Sequence, residues 1–121
     1  MPWQISFMEA EQVVWVRVTG SFGLETLREM SKELYPEAAK HSCVRFLFDY
    51  RDAQAHASLM EIYQRATELP NLGVPYGARY AVVGMPPDFS EKTFYENVWA
   101  NRGYSAKFFD SLEQAIQWLI T

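Results

Sequence analysis

The sequence predicts an α/β domain with the order β-β-α-β-α-β-α-β-α, a mostly parallel sheet of about five strands and an antiparallel N-terminal edge strand. Valine- and phenylalanine-rich runs alternate with stretches whose apolar residues recur every three or four positions. Capping boxes mark helix starts, an oxygen-bearing side chain being followed three residues on by Glu or Gln: Ser58 with Glu61, Asp88 with Glu91, Ser111 with Gln114. Helices lying between successive strands require parallel pairing through right-handed crossovers.

Trp3, Ile5 and Phe7 alternate with Gln4 and Ser6, and a polar connection leads into Val13 to Thr19, a second alternating run. Together they read as a β-hairpin. Gly20 and Gly23 precede a helix with Leu24, Leu27, Met30, Leu34 and Ala38 on one stripe; Pro36 predicts a break or kink near Tyr35. Val44 to Tyr50 reads as the central strand. A polar loop follows, then a helix turning Leu59, Ile62, Tyr63, Ala66 and Leu69 inward, and a turn-rich link from Pro70 to Gly77. Ala78 to Gly84 is the next strand. A helix from about Asp88 to Arg102 buries Phe94, Val98 and Trp99, with Gly103 in the position that ends a helix. Ser105 to Phe109 is the last strand, and the last helix buries Leu112, Ala115, Ile116 and Leu119.

A chain of 121 residues is read as one domain, residues 1–121, large enough to be stable without disulfide or structural metal. The single cysteine, Cys43, excludes an internal disulfide and a Cys-rich metal cage. No leader or apolar run of membrane-span length is present, so a soluble cytoplasmic protein is expected. The net charge of −4 argues against nucleic-acid binding.

Residues two apart on a strand share a face. Val14, Val16, Val18, Val44, Phe46 and Phe48 make one purely apolar side. The other carries a cation on each parallel strand, Arg17, Arg45, Arg79 and Lys107, beside Trp15, Leu47, Asp49 and Phe109. Most helices are expected on the purer side. The mixed side is either a solvated face with snorkelling cations or a self-association surface formed by Trp15, Arg17, Arg45, Leu47 and Phe109, with a homodimer as its expected form.

Reactive constellations are scarce. Cys43 two residues after His41 invites a Cys–His nucleophile, but nothing is placed to orient the base, and a small apolar residue entering a strand is the simpler account. His41, His56, Asp49 and Asp52 match no metal-ligand spacing. No P-loop, nucleophile elbow or dinucleotide fingerprint occurs, so neither an enzyme nor a cofactor is expected. The loop after the central strand is where open α/β sheets place functional groups, which singles out Tyr50, Arg51, Asp52, His56 and Ser58, with Met85 and Phe89 beside it. Tyr63, Tyr76, Phe89, Phe94, Tyr95 and Trp99 read as core or as the lining of an apolar ligand pocket under the second and third helices.

VVWVRVTGSF leading into a helix, VRFLFDYRD as the central strand and the closing KFFDSLEQAIQWL resemble the SpoIIAA-like superfamily, which includes the STAS and SEC14-like domains, over nearly the whole chain. The resemblance implies a non-catalytic bacterial module that binds a protein partner or, as in SEC14-like carriers, a lipid-like apolar molecule. Phosphoswitch members carry a serine where Ser58 falls, counting from Asp49. Here Ala57 precedes it and Leu59-Met60 replace the small residues that follow in those members, so Ser58 reads foremost as a helix N-cap.

Overall fold

The computed structural model describes residues 2–55, 59–85 and 92–121. Strands β1 (Trp3–Met8), β2 (Val13–Phe22), β3 (Arg45–Ala55), β4 (Arg79–Val83) and β5 (Ser105–Phe109) form one sheet in that spatial order. Strand β1 pairs antiparallel with β2, from Trp3 opposite Val18 to Met8 opposite Val13, and every other pairing is parallel. Helices α1 (Leu24–Lys40), α2 (Leu59–Glu68) and α3 (Lys92–Asn101) connect the parallel strands; α4 (Leu112–Ile120) ends the chain. No helix among the described residues is long and apolar enough to cross a membrane.

The two sheet faces build two cores. Val14, Val16, Val18, Phe46, Phe48, Tyr80 and Val82 pack against Met30, Leu34 and Ala38 of α1, Ala66 of α2 and Val98 and Trp99 of α3. On the opposite face Val13, Leu47, Ala81 and Val83 are closed off by Ala115 and Leu119 of α4. Ser111 caps α4, its Oγ accepting the Gln114 N–H at 3.2 Å, and Gly103 follows α3 at φ +92°. The other two capping boxes depend on Ser58, Asp88 and Glu91, which lie outside the described residues.

Three expectations about the elements change. Helix α1 runs unbroken through Pro36. A proline inside a helix costs about 3 kcal/mol, but each fully buried large apolar side chain contributes about 1.5–3 kcal/mol, and Met30, Leu34 and Tyr35 are all buried on this helix. Pro36 itself is exposed, as is Lys32, whose carbonyl loses its helical partner. Strand β3 continues through the expected polar loop to Ala55, because Asp52 to Ala55 pair with Thr19 to Phe22. Phe94 is 37% exposed; the inward stripe of α3 is set by Tyr95, Val98 and Trp99, and Phe94 lies off it.

That longer pairing carries a bulge. Arg17 faces Asp49 and Thr19 faces Asp52, so β3 uses one residue more than β2 over the step. Gly84, at the end of β4, meets the bulge: a Cβ there would stand 2.3 Å from the Arg51 backbone nitrogen, and its φ is +97°. Strain and collision together make Gly84→Ala cost about 3 kcal/mol or more. Gly20→Ala, also left-handed but with nothing within 4 Å of the new Cβ, should cost only about 1–2 kcal/mol. Urea unfolding of both variants measures this; equal losses would refute the close approach.

Candidate ligand-binding site

At the bulge, successive side chains of β3 enter different environments. Asp49 is only 1% exposed, on the α4 side. A lone buried carboxylate is costly, and Asp49 is amply supplied with donors. Arg51 reaches back with Nε to Oδ1 and Nη2 to Oδ2, both at 2.9 Å, and donates its backbone N–H to Oδ1 at 3.2 Å. The Trp15 indole adds a bond to Oδ2 at 3.3 Å. Burial pushes the Asp49 pKa up, but the Arg51 hydrogen bonds and charge and the Trp15 bond outweigh it, leaving it below the usual carboxylate value.

The neighbouring charges are also internally matched. Arg17 pairs with Asp52, Arg45 donates to the Glu11 carbonyl at 3.2 Å, and Lys107 lies 5.8 Å from the Phe109 ring centre. Arg79 stacks 4.2 Å over Trp118 and donates to the Leu119 carbonyl at the end of α4 at 3.5 Å, where a cation suits the helix dipole. The self-association face read from the sequence is therefore reshaped. Leu47 is fully buried under α4, Phe109 packs on Trp118 at 5.6 Å, and Trp15 is half-buried against Asp49.

The helix side holds the less ordinary group. Arg65, in α2, is 6% exposed. Its Nη2 donates to Ser31 Oγ of α1, and its guanidinium lies 5.9 Å from the centre of the Tyr35 ring. The Ser31 hydroxyl in turn donates a hydrogen bond to the Leu27 carbonyl at 2.7 Å. Around this cation stand Tyr35 and Tyr80, hydroxyl to hydroxyl at 2.8 Å, with Tyr50 of β3 and Tyr95 of α3 close enough for its charge to act on them. Burial raises the pKa of all of these tyrosines, and in each the Arg65 charge opposes the rise without cancelling it. They are neutral phenols at physiological pH, suited to donating hydrogen bonds and not to acting as bases. Tyr95 stacks on Trp99 at 4.0 Å, and the buried Trp99 Nε1 has no acceptor.

Of the residues singled out in the sequence, Tyr50 is 8% exposed and packs on Phe22 at 4.6 Å, facing the tyrosine cluster. Arg51 and Asp52 belong to the ion pairs of the opposite face, and Met85 packs partly buried against the helix-side core. His56, Ser58 and Phe89 lie outside the described residues, and Ser58 as a phosphosite with them. Of the aromatic set, Tyr95 and Trp99 point inward, whereas Tyr76 is largely exposed. His41 stacks on Phe7 at 3.8 Å, while the Cys43 thiol is directed at the Gln12 and Arg45 carbonyls. They form no nucleophile–base pair. Among the described residues no group of three or more His, Cys, Asp or Glu could hold a metal.

Sequence reading overlooked Arg65, Ser31, Tyr35 and Tyr80 as a set. A signal was available for Arg65: it lies three residues after Ile62 and four before Leu69, a charge inside an apolar helical stripe.

No family model matches the chain, and no curated protein matches it. Similarity is found among solved structures. An uncharacterised protein of the DUF3478 family with a SpoIIAA-like fold, from Shewanella loihica PV-4, is 17% identical, with a TM-score of 0.58 over 97% of this chain and 91% of that one. The anti-sigma factor antagonist SpoIIAA in its unphosphorylated form gives 11% identity and a TM-score of 0.53 over 93% and 91% of the two chains. The Bacillus cell fate determinant SpoIIAA in the phosphorylated form gives 13% identity and 0.53 over 95% and 96%. The chain thus has the SpoIIAA-like fold.

The Asp49 pair makes a pH prediction. Because its folded pKa is lowered, the stability it contributes is complete above the unfolded carboxylate value, about 4, and is lost as pH falls through the folded value. Asp49→Asn should lower stability at neutral pH and flatten the loss below about pH 4. Urea midpoints between pH 2 and 7, taken as about three or more points on each limb, check both parts; an unchanged acid limb would show that Asp49 is not the titrating group.

Proposed function

We propose that this chain is a non-catalytic binding module of STAS-like type, which holds a small molecule between the sheet and helices α1–α3. The observation that carries the reading is Arg65, a cation removed from water and surrounded by a serine hydroxyl and neutral tyrosines. Catalytic groups need a matched acid and base or an activated nucleophile. These phenols have their pKa values moved away from neutrality, and the carboxylate on the opposite face is tied into a bidentate pair. Such an arrangement recognises and does not transform. The SpoIIAA-like fold supports the same class, since one structural neighbour is an anti-sigma factor antagonist.

Native mass spectrometry of freshly purified protein tests the proposal. The expected result is a reproducible mass above that of the chain, lost under denaturing conditions. A bare chain that co-purifies with a stoichiometric protein partner would favour the partner-binding form of the module. Turnover of an ester, phosphoester or peptide substrate, abolished by Arg65→Met, would overturn the non-catalytic reading.

A further inference from the structure

We propose that the outer edge of β1 is an interface for a second copy of this chain, whose own β1 docks antiparallel to the first with the two-fold axis through Ile5, so that one sheet runs through the dimer. This goes beyond the binding-module reading and does not depend on it.

The backbone sets the geometry. Strand β1 lies at one edge of the sheet, next to β2. The Pro2 carbonyl accepts the Thr19 N–H at 2.8 Å, which makes Pro2 opposite Thr19 a hydrogen-bonded pair. Such pairs alternate along an antiparallel ladder. Gln4, Ser6 and Met8 therefore bond toward β2, and Trp3, Ile5 and Phe7 direct their N–H and C=O groups away from it. Edges of this kind are guarded in other proteins by a charge, a proline or a bulge. The opposite edge strand, β5, carries the exposed Lys107 at its centre. Strand β1 has neither a charge nor a proline within Trp3–Met8, and its register with β2 runs unbroken.

The side chains choose the partner and the register. Trp3, Ile5 and Phe7 share the helix side, each packed on the core yet only partly buried, while Gln4 and Ser6 are exposed on the other side. An axis through Ile5 sets Trp3 opposite the second copy's Phe7, Ile5 opposite Ile5, and Gln4 opposite Ser6. Apolar then meets apolar, polar meets polar, and the outward groups of all three odd residues face one another. Each such pair exchanges two bonds, about six in all. An axis through Gln4 or Ser6 leaves Phe7 or Trp3 outside the pairing of the two strands. An axis between two residues opposes outward groups to inward ones. The edge is thus complementary to itself, as an interface with two-fold symmetry requires.

Light scattering coupled to size exclusion, on the whole protein at rising concentration, tests the assignment. The mass should climb toward twice that of the chain. Gln4→Glu with Ser6→Glu sets like charges opposite each other at both symmetry-related contacts and should weaken the dimer about tenfold. Gln4→Glu with Ser6→Lys sets opposite charges there and should restore it. Both positions are exposed, so neither pair disturbs the core. Ile5→Pro removes the central outward N–H, keeps the bonds to β2 and should abolish the dimer; if that variant does not fold, the two charge pairs decide. A wild type that keeps the mass of one chain up to about 1 mM, a dimer unmoved by the glutamate pair, or a glutamate–lysine pair no better than the glutamate pair would each overturn the inference.

Discussion

Putting a carboxylate in the middle of a sheet is possible only if donors arrive with it, and at Asp49 they come from two residues further along the same strand. Arg51 can fold back because the bulge in β3 adds a residue between the pairings of Arg17 with Asp49 and Thr19 with Asp52. The bulge fits because Gly84, just after β4, presents no Cβ to the Arg51 backbone. A glycine at the end of one strand thus allows the charge pairing on its neighbour. Tyr50, between the paired residues, is left facing the helices. The same irregularity that neutralises one face thereby supplies a phenol to the other.

The two cores obey different rules. Under α4 the surface is largely aliphatic, and each cation around it is matched by a carboxylate, a carbonyl or a ring. Under α1–α3 aromatic residues dominate and the Arg65 guanidinium is enclosed beside the Ser31 hydroxyl and the Tyr35 ring. Were Arg65 there for stability alone, an apolar residue of similar volume would serve as well or better, since buried charges rarely improve on hydrophobic packing. Arg65→Met should then stabilise the protein, and urea unfolding of that variant is the measurement that checks it.

What could be read before the structure follows from the range of the interactions involved. Strand alternation and helix stripes are local, so Val14-Val16-Val18 and Ser111-Gln114 announced a helix-side core and a helix start. The longer reach of β3 depended on pairing with β2 and was invisible in a polar run such as Arg51-Asp52-Ala53-Gln54. Pro36 misled because the rule it invokes is local, whereas the anchors that override it, Tyr35 on Tyr80 among them, join residues 45 apart. Leu47 was assigned to an open face because nothing in the strand says which helix will return over it. Ser31, Tyr35, Arg65 and Tyr80 each looked like an ordinary helix or strand residue, and their meeting is a property of the tertiary structure.

Identity of 11–17% to chains of the same fold means that the pattern of buried faces is kept while individual side chains are free to change. Function has to be argued from the residues this chain places together, because a shared fold hosts many activities. An arginine enclosed by tyrosines and a serine is such a placement, and it has direct energetic consequences. Ligand binding to the folded state alone adds RT ln(1 + [L]/Kd) to stability, about 2.7 kcal/mol at a hundred times Kd. A ligand bound beside Arg65 would add its binding free energy to the packing of α1, α2 and α3 around that residue.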